Sequence, residues 1–273
     1  MAIPTQRKTP LQRFRLPVLL VGTAGLLIAA RGLDALVSDV PVLRLLVGVG
    51  AAAGAIFAYM WLSRHVENRT EVAELAAAGR WSGLGRGALV GAGAFLATML
   101  LAALFTDIDI TSGSLGACLG VAGSMASVAV TEELLFRGVV YRILEERTGG
   151  IVAIAVSSLI FGLTHLLNVN ATLWGTLAIA VEGGALLAIA YAATRSLWLP
   201  IGLHFAWNFT ASGVFGTAVS GADGEPGLLR TVLSGPDLLT GGAFGPEASL
   251  FALLCCLVPA VWLLRGTKLR TRG

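Results

Sequence analysis

Charged side chains are scarce in this sequence. Asp, Glu, Lys and Arg account for 13% of its 273 residues, against roughly 25% in a typical soluble domain. A soluble protein of this length could not cover its surface with so few charges, and an apolar content of 56% also excludes intrinsic disorder. The net charge is only +3, and the basic residues form short clusters between apolar runs, so nucleic acid is excluded as a partner.

Cysteine is also rare. Cys118, Cys255 and Cys256 all lie in apolar runs, and two of them are adjacent, which excludes a disulfide framework. Their surroundings are typical of small apolar packing residues, so a cysteine-rich zinc site is not expected.

Long apolar stretches make up most of the chain. A membrane span needs about 20 predominantly apolar residues, and eight stretches approach this length. We therefore predict an all-α, polytopic membrane helical bundle, with residues 1–273 forming a single integral membrane domain in contact with the lipid bilayer. The predicted spans are 16–30, 45–62, 88–105, 115–141, 151–166, 172–194, 197–215 and 249–264.

The basic residues alternate between the two sides of these spans. Segments 106–114 and 168–171 have none and segment 216–248 has only Arg230. Both ends carry several, and three connections on the same side as the ends carry Arg64, Arg69, Arg80 and Arg86, then Arg142 and Arg147, then Arg195. The positive-inside rule then predicts a multi-pass protein of the cell (plasma) membrane with both termini cytoplasmic. The basic residues at the two ends are Arg7, Lys8, Arg13, Arg15, Arg265, Lys268, Arg270 and Arg272.

Three other features of the chain are less regular. The basic N-terminus and the first apolar run also resemble a cleaved signal peptide, an alternative disfavoured because no clear cleavage site precedes Arg31. Segment 67–85 alternates charged residues with alanines, which predicts a helix lying at the cytoplasmic interface. The Gly- and Pro-rich segment 213–246 is predicted to be an irregular external loop.

A few ionisable residues, with one asparagine, lie inside the predicted spans. An ionisable side chain in lipid is costly, so each of them needs a partner or a function. They are Glu132, Glu133, Arg137, His165, Glu182, His204 and Asn208.

Three separate segments bring acid or imidazole groups to one depth. If Gly149 and Gly150 form the tip of a helical hairpin, Glu133 lies 16 residues before Gly149 and His165 lies 16 residues after it. Counting inward from the lipid boundary places Glu133 and His204 about 12 and 13 Å deep. These groups are predicted to meet on the cytoplasmic side of mid-membrane.

Helical spacing separates the roles of the two adjacent glutamates. Glu133 and Arg137 are four residues apart, so they share a helix face and are predicted to form an ion pair. Glu132 is turned about 100° away, which leaves its carboxylate available as a proton acceptor. His204 and Asn208 are also four apart and are predicted to project together.

The carboxylate and imidazole groups in these segments are of the types that catalyse hydrolysis. A carboxylate beside two imidazoles can take a proton from water while imidazole or amide groups stabilise an oxyanion. Two histidines and a carboxylate also match the ligands of a catalytic zinc, with Glu132 or Glu133 as the third donor to His165 and His204. The same residues could instead line a proton or ion path in a transporter, or pin helices together.

Three motifs resemble those of the CAAX prenyl endopeptidase and bacteriocin-processing (CPBP, or Abi) family of intramembrane proteases. They are Glu-Glu-x-x-x-Arg at residues 132–137, Phe-x-x-x-His at residues 161–165 and His-x-x-x-Asn at residues 204–208. Each motif alone is weak, but the three occur in order on consecutive hydrophobic segments. The resemblance covers about residues 132–208, and we take residues 115–210 as the catalytic core.

The resemblance implies an all-helical bundle of about eight spans, with the site in a cavity that opens towards the cytoplasm. It implies that Glu132 is the water-activating base, that His165 assists it or binds metal, and that His204 with Asn208 forms the oxyanion-binding or metal-binding side. The implied substrate is a membrane-associated protein or peptide, which is prenylated for eukaryotic members.

The resemblance also gives supporting roles to Glu133 and Arg137. It leaves two mechanisms open, because the family is usually described as metalloproteases while the asparagine also suits a metal-free glutamate mechanism. A zinc ion, or another divalent metal, would be held by Glu132, His165 and His204. Glu182 lies outside the three motifs, as a cavity-lining group, a further proton or metal ligand, or a packing residue.

The sequence thus supports three hypotheses. The first is an intramembrane endopeptidase, and the second is a proton-coupled transporter that uses the same buried acids. The third is a non-catalytic immunity or interaction protein, which the intact set of three motifs disfavours.

Overall fold

The computed structural model describes residues 10–269. Four of the basic residues used to predict the topology, Arg7, Lys8, Arg270 and Arg272, lie outside the described residues. The described chain is mostly helical, with ten helices of four residues or more. They are α1 (Pro10–Arg13), α2 (Arg15–Val37), α3 (Pro41–Glu67), α4 (Arg80–Phe105), α5 (Leu115–Thr148), α6 (Gly150–Leu167), α7 (Leu173–Thr194), α8 (Trp198–Asn208), α9 (Asp237–Thr240) and α10 (Leu250–Arg265).

Several of these helices change their winding along their length. The middle of α5 is π-helical over Leu134–Tyr141, α7 is π-helical over Ala180–Ala185, and α8 continues into a π-helical turn at Phe209–Val214. Helix α6 ends in a short 3₁₀ turn at His165–Leu167. Such π-helical turns are frequently found at functional sites, because they change the direction of the side chains that follow.

The multi-pass membrane character is confirmed, but a count of eight spans is not. Within residues 10–269, six helices are long and apolar enough to cross a membrane, namely α2 to α7. The last two predicted spans correspond to shorter helices. Helix α10 has 16 residues, which is about 24 Å of helix against the roughly 30 Å of a bilayer core.

Helix α8 is short because it lies inside the protein. Every residue from Trp198 to Asn208 except Phe205 is buried, so its surroundings are other helices and its length need not match the bilayer. Its closest neighbour is α4, where Gly87 and Gly91 lie directly against backbone carbonyl oxygens of α8. Small residues allow this close approach between membrane helices. The contact fixes the helix that carries the third motif.

Helices α5 and α7 form the centre of the bundle with α8. About 61% of the most apolar window of α5 and 67% of that of α7 is buried, against 17% for α2 and 22% for α3. The outer helices therefore present apolar surface to lipid. The central helices carry the intramembrane acids away from lipid, which is where such groups are tolerated.

The predicted irregular loop contains regular structure. Strand β2 (Leu229–Ser234) pairs antiparallel with β1 (Asp107–Ser112), in a register that sets Ile108 opposite Leu233. The pairing joins two connecting segments that were both predicted to be external. A pattern within one segment could not reveal this ladder, because each strand needs the other for its backbone hydrogen bonds.

The prediction of an interfacial helix over residues 67–85 is wrong. Helix α3 ends at Glu67, Asn68 takes a left-handed conformation, and only a 3₁₀ turn at Ala73–Leu75 precedes α4. The buried Glu74 holds this segment on the protein, because it accepts hydrogen bonds from Tyr59 (2.7 Å) and Arg69 (2.8 Å). Burial alone would raise the pKa of the Glu74 carboxyl, but the Arg69 and Tyr59 hydrogen bonds hold it below its usual range.

Candidate active site

The predicted hairpin between α5 and α6 is present. Gly149 takes a φ of +83°, which a residue with a side chain rarely adopts, and the chain reverses there. The reversal brings Phe161 of α6 against Phe136 and Arg137 of α5, with ring centroids 4.9 Å apart and the guanidinium carbon 4.7 Å from the Phe161 ring. The first and second motifs therefore pack on each other.

Glu133 is the buried anchor of this region. Its Oε1 atom accepts hydrogen bonds from Arg137 and from Nδ1 of His204, both at 2.8 Å, and the carboxylate has no solvent exposure. Arg137 also donates to the carbonyl oxygens of Gly183 and Gly184 on α7, at 2.9 Å each. The predicted Glu133–Arg137 ion pair therefore exists, and it joins α5, α7 and α8.

Glu132, His165, His204 and Asn208 line one cavity of about 50 Å³. Glu132 and His204 are nearly buried, and Oε2 of Glu132 lies 3.8 Å from Nε2 of His204. The three segments thus converge, as the residue spacing predicted.

Hydrogen bonds set the orientation of both imidazoles. Nδ1 of His165 lies 2.8 Å from the carbonyl oxygen of Phe161, which can only accept, so this nitrogen carries a proton. Nδ1 of His204 likewise donates to the Glu133 carboxylate. In each ring the other nitrogen, Nε2, is left for the cavity. The ring of Phe161 accounts for the first position of its motif, because it packs against both the Arg137 guanidinium and the His165 imidazole.

The comparison with known protein families concerns the part of the chain that carries these residues. Residues 114–210 match the family model described as Rce1-like, type II CAAX prenyl endopeptidase Rce1-like. This segment is similar to the domain of that family, and we call it the Rce1-like domain. No curated protein and no solved structure matches the chain.

The match confirms the resemblance seen in the three motifs and implies a peptidase. The matched segment contains all six residues singled out in those motifs, so the family resemblance and the geometry concern the same part of the chain. The segments before and after the Rce1-like domain contribute further residues to the site, and these were not predicted.

Arg31 of α2 is one of these residues. Its NH2 group lies 3.3 Å from Oε1 of Glu132, and its side chain lines the same cavity. The predicted first span ended at residue 30, which placed Arg31 at the membrane boundary. Because α2 continues to Val37, Arg31 lies within the helix, with six more helical residues after it.

The cavity lies closer to the connecting segments that contain few basic residues than we predicted by counting residues inward from the lipid boundary. Helix α6 ends almost directly after His165, and Asn168 then donates to the carbonyl oxygen of Ser220 at 2.7 Å. Ser220 and Ala222 line the cavity, whereas no residue of the basic connections at the other end does so among the described residues. The geometry therefore differs from the expected opening towards the basic, cytoplasmic side.

Glu182 lies in a second cavity behind His204 and Asn208. This cavity has a volume of about 20 Å³, and Glu247 also lines it. Both carboxylate oxygens of Glu182 are buried without a hydrogen-bond partner. The sequence singled out Glu182 but not Glu247, which is brought in by a 3₁₀ turn far along the chain.

Glu247 differs from Glu182 in being fully bonded. It is completely buried and accepts hydrogen bonds from the Trp207 indole (2.7 Å), the Ser220 hydroxyl (2.9 Å) and the Ser220 backbone amide. Burial raises the pKa of the Glu247 carboxyl, and these donors oppose the change. One cavity is therefore lined by two buried carboxylates, of which Glu247 is fully hydrogen-bonded and Glu182 has no hydrogen-bond partner.

The donors present do not fit a three-ligand zinc centre. Among residues 10–269, no group of three or more His, Cys, Asp or Glu side chains is arranged to hold a metal ion. Glu132, His165 and His204, the predicted ligands, do share a cavity, but the Arg31 guanidinium contacts the Glu132 carboxylate. A guanidinium at this position repels a second cation by ordinary charge repulsion.

We expect Arg137→Gln to lower the free energy of unfolding by about 3–5 kcal/mol, because it leaves the buried Glu133 carboxylate without its cation. Thermal unfolding in detergent measures this change. Arg230→Gln, at an exposed position of β2, is the matched control and should be nearly neutral. Equal effects of the two substitutions would contradict an essential ion pair.

Glu182→Gln and Glu247→Gln should have different effects on stability. At Glu247 an amide would turn its NH₂ group towards donors of Trp207 or Ser220, which should cost about 1–3 kcal/mol. At Glu182 no donor loses a partner, so the unfolding temperature should stay unchanged or rise. Equal destabilisation by the two substitutions would show that Glu182 has a bonded partner in the folded protein.

Proposed function

We propose that this protein is an intramembrane endopeptidase that hydrolyses a peptide bond with a water activated by Glu132. The observation that carries the proposal is the convergence of Glu132, His165, His204 and Asn208 on one cavity within an Rce1-like domain. The expected substrate class is a membrane-associated protein or peptide, which includes prenylated chains.

In the proposed first step, a water molecule lies between Glu132 and the scissile carbonyl carbon. The Glu132 carboxylate takes a proton from this water as the oxygen attacks the carbon. Nε2 of His165 accepts a hydrogen bond from the same water and orients it, because Nδ1 is already committed to the Phe161 carbonyl. Glu132 then returns the proton to the leaving amine as the tetrahedral intermediate collapses.

His204 and Asn208 stabilise the oxyanion of the tetrahedral intermediate. Glu133 accepts a hydrogen bond from Nδ1–H of His204 and so orients the ring. With a proton also on Nε2, that nitrogen donates a hydrogen bond to the negative oxygen. Asn208 lies one helical turn further and presents its amide to the same cavity. The charge on Glu133 is in turn balanced by Arg137, so this acid supports the imidazole and takes no proton from water.

We propose the cell (plasma) membrane as the location, with both ends of the chain on the cytoplasmic side. The support is the alternation of basic and basic-poor connections along the chain. The paired strands β1 and β2 agree with this alternation, since two basic-poor connections come together.

We expect Glu132→Gln, His165→Ala and His204→Ala each to reduce cleavage by about 100-fold or more, because each removes a group that handles a proton or the oxyanion. The substrates are lipid-anchored, internally quenched peptides assayed with purified protein in detergent. Glu71→Gln changes an exposed acid far from the cavity and should keep wild-type activity. Wild-type rates in all three cavity variants would remove the enzyme assignment.

Metal removal separates the two mechanisms that the sequence leaves open. In the proposed metal-free mechanism, exhaustive treatment with a chelator should leave kcat/KM unchanged within about twofold, since Glu132 alone activates the water. Elemental analysis of the treated protein confirms that metal is absent. A loss of activity that zinc restores, and that Glu132→Gln protein does not regain, would establish zinc as a cofactor instead.

A further inference from the structure

An apolar groove lies between two pairs of helices, away from the reaction cavity. Helix α4 packs on α8 and α3 packs on α5, and the groove separates the two pairs. It has a volume of about 490 Å³, within the roughly 300–1,000 Å³ of small-molecule binding sites. In the described chain its lining is aliphatic, aromatic or glycine, and none of the lining residues also lines the reaction cavity.

The groove starts at one end of two helices and runs along them. On α4 it extends from Trp81 to Ala88, and on α8 it extends from Trp198 to Phe205. Each of these distances is about 10 Å at 1.5 Å per residue. Helix α4 begins at Arg80 and α8 begins at Trp198. Because α4 is a membrane-spanning helix, the groove begins near the lipid headgroups and continues into the apolar part of the bilayer.

Arg80 lies at the headgroup end of the groove. Its guanidinium carbon is 4.8 Å from the ring centroid of Trp81 and 6.0 Å from that of Trp198. Trp198 is fixed in place, because its indole donates a hydrogen bond to the carbonyl oxygen of Ala76 at 2.8 Å. The two rings attract the guanidinium by cation–π interaction. A positive charge is therefore held beside two of the side chains that line the groove.

Arg80 has no counter-charge in the part of the chain that the structure describes. Its Nε atom is buried without a hydrogen-bond partner, and no described carboxylate forms an ion pair with it. Two buried acids of the preceding connection are already bonded, since Glu67 accepts from Arg142 at 2.7 Å and Glu74 accepts from Arg69 at 2.8 Å. A guanidinium matches a phosphate group with parallel hydrogen bonds. The end of an apolar groove thus presents an unpaired group of the type that binds phosphate.

We propose that the groove binds one acyl chain of an anionic phospholipid whose phosphate contacts Arg80. The apolar lining contacts the chain, and the guanidinium supplies the charge that the phosphate needs. A zwitterionic phospholipid carries its own cation beside the phosphate, so an anionic headgroup such as phosphatidylglycerol should bind more tightly. Since Trp198 and Phe205 belong to α8, the bound lipid also supports the helix that carries the third motif.

Two glycines of α4 allow the groove to be filled in a controlled way. A Cβ atom at Gly85, which lines the groove, would meet no atom within 4 Å. The same is true at Gly93, which lies about two turns further along α4 and outside the groove. Gly85→Phe therefore places a ring in the groove, whereas Gly93→Phe places the same ring elsewhere on the same helix. The two variants share the change in helix propensity, so a difference between them reports on the groove.

The experiment uses purified protein in detergent with two phospholipids that carry the same diazirine-labelled acyl chain. One has a phosphatidylglycerol headgroup and the other a phosphatidylcholine headgroup. In the wild-type protein, mass spectrometry should find saturable labelling of segments 81–88 and 198–205. Half-saturation should require about five- to tenfold less phosphatidylglycerol than phosphatidylcholine, the range expected for one basic residue.

The variants test the two parts of the site separately. Arg80→Gln should remove the preference for phosphatidylglycerol, whereas Arg86→Gln, at an exposed arginine of the same helix, should keep it. Gly85→Phe should abolish the saturable labelling by both lipids, whereas Gly93→Phe should be labelled like the wild type. Non-saturable labelling or equal affinity for the two headgroups in the wild type would overturn the proposal. An unchanged preference in Arg80→Gln, or equal labelling of the two phenylalanine variants, would do the same.

Two other occupants of the groove give different results. If the site binds phosphate without a chain, millimolar inorganic phosphate should protect the protein from labelling by phosphatidylglycerol. If the groove holds the lipid anchor of a substrate, a lipid-anchored peptide should displace both phospholipids equally in wild type and Arg80→Gln. Either result would overturn binding of a phospholipid.

Thermal unfolding provides a second measurement that does not depend on labelling. A ligand that binds only the folded state raises the unfolding temperature, so added phosphatidylglycerol should stabilise the wild type and Gly93→Phe but not Gly85→Phe. The absence of stabilisation in the wild type would contradict the proposal, even if Gly85→Phe failed to fold. Neither measurement uses peptide cleavage. The lipid site and the proposed peptidase function can therefore fail independently.

Discussion

The carboxylate of Glu133 is the constraint on which the site depends. It is fully buried, and one of its oxygens accepts hydrogen bonds from both Arg137 and His204. A buried charge is tolerated only while its partners are in place, and here the partners belong to different helices. Arg137 also holds two carbonyl oxygens of α7. Helices α5, α7 and α8 therefore cannot shift independently without leaving a charge unpaired.

The hydrogen bonds of Glu133 also give the two adjacent glutamates different surroundings. Glu133 is committed to structure and to the orientation of His204, which leaves Glu132 facing the cavity. Phe161 completes the arrangement, because its ring lies against Arg137 while its carbonyl orients His165. The three motifs are thus parts of one bonded unit, although they lie on three separate helices.

The connecting segments contribute to the interior as well as to the surface. Ser220 lines both cavities, accepts a hydrogen bond from Asn168 and donates to Glu247. Glu247 in turn accepts from Trp207, one residue before Asn208. The loop between α8 and β2 is therefore bonded to the helix that carries the third motif. Polar groups in an apolar bundle need such partners, since few waters can replace them.

The spacing of residues close together in the sequence determined several structural features of this protein. Apolar length predicted a polytopic bundle, the i to i+4 spacing predicted the Glu133–Arg137 pair, and two glycines predicted the hairpin at Gly149. Each of these features depends on residues close together in the chain, so periodicity and turn chemistry are enough to reveal it.

Only the tertiary structure decided the rest. The hydrogen bond between His204 and Glu133 spans 71 positions, and the contact between Arg31 and Glu132 spans 101. The pairing of β1 with β2 and the burial of Glu247 likewise join distant segments. A periodic pattern in the sequence cannot predict these long-range contacts, because they depend on how whole helices pack and where each helix ends. For this reason the residues of the three motifs were visible in the sequence, whereas the arginine at the mouth of their cavity was not.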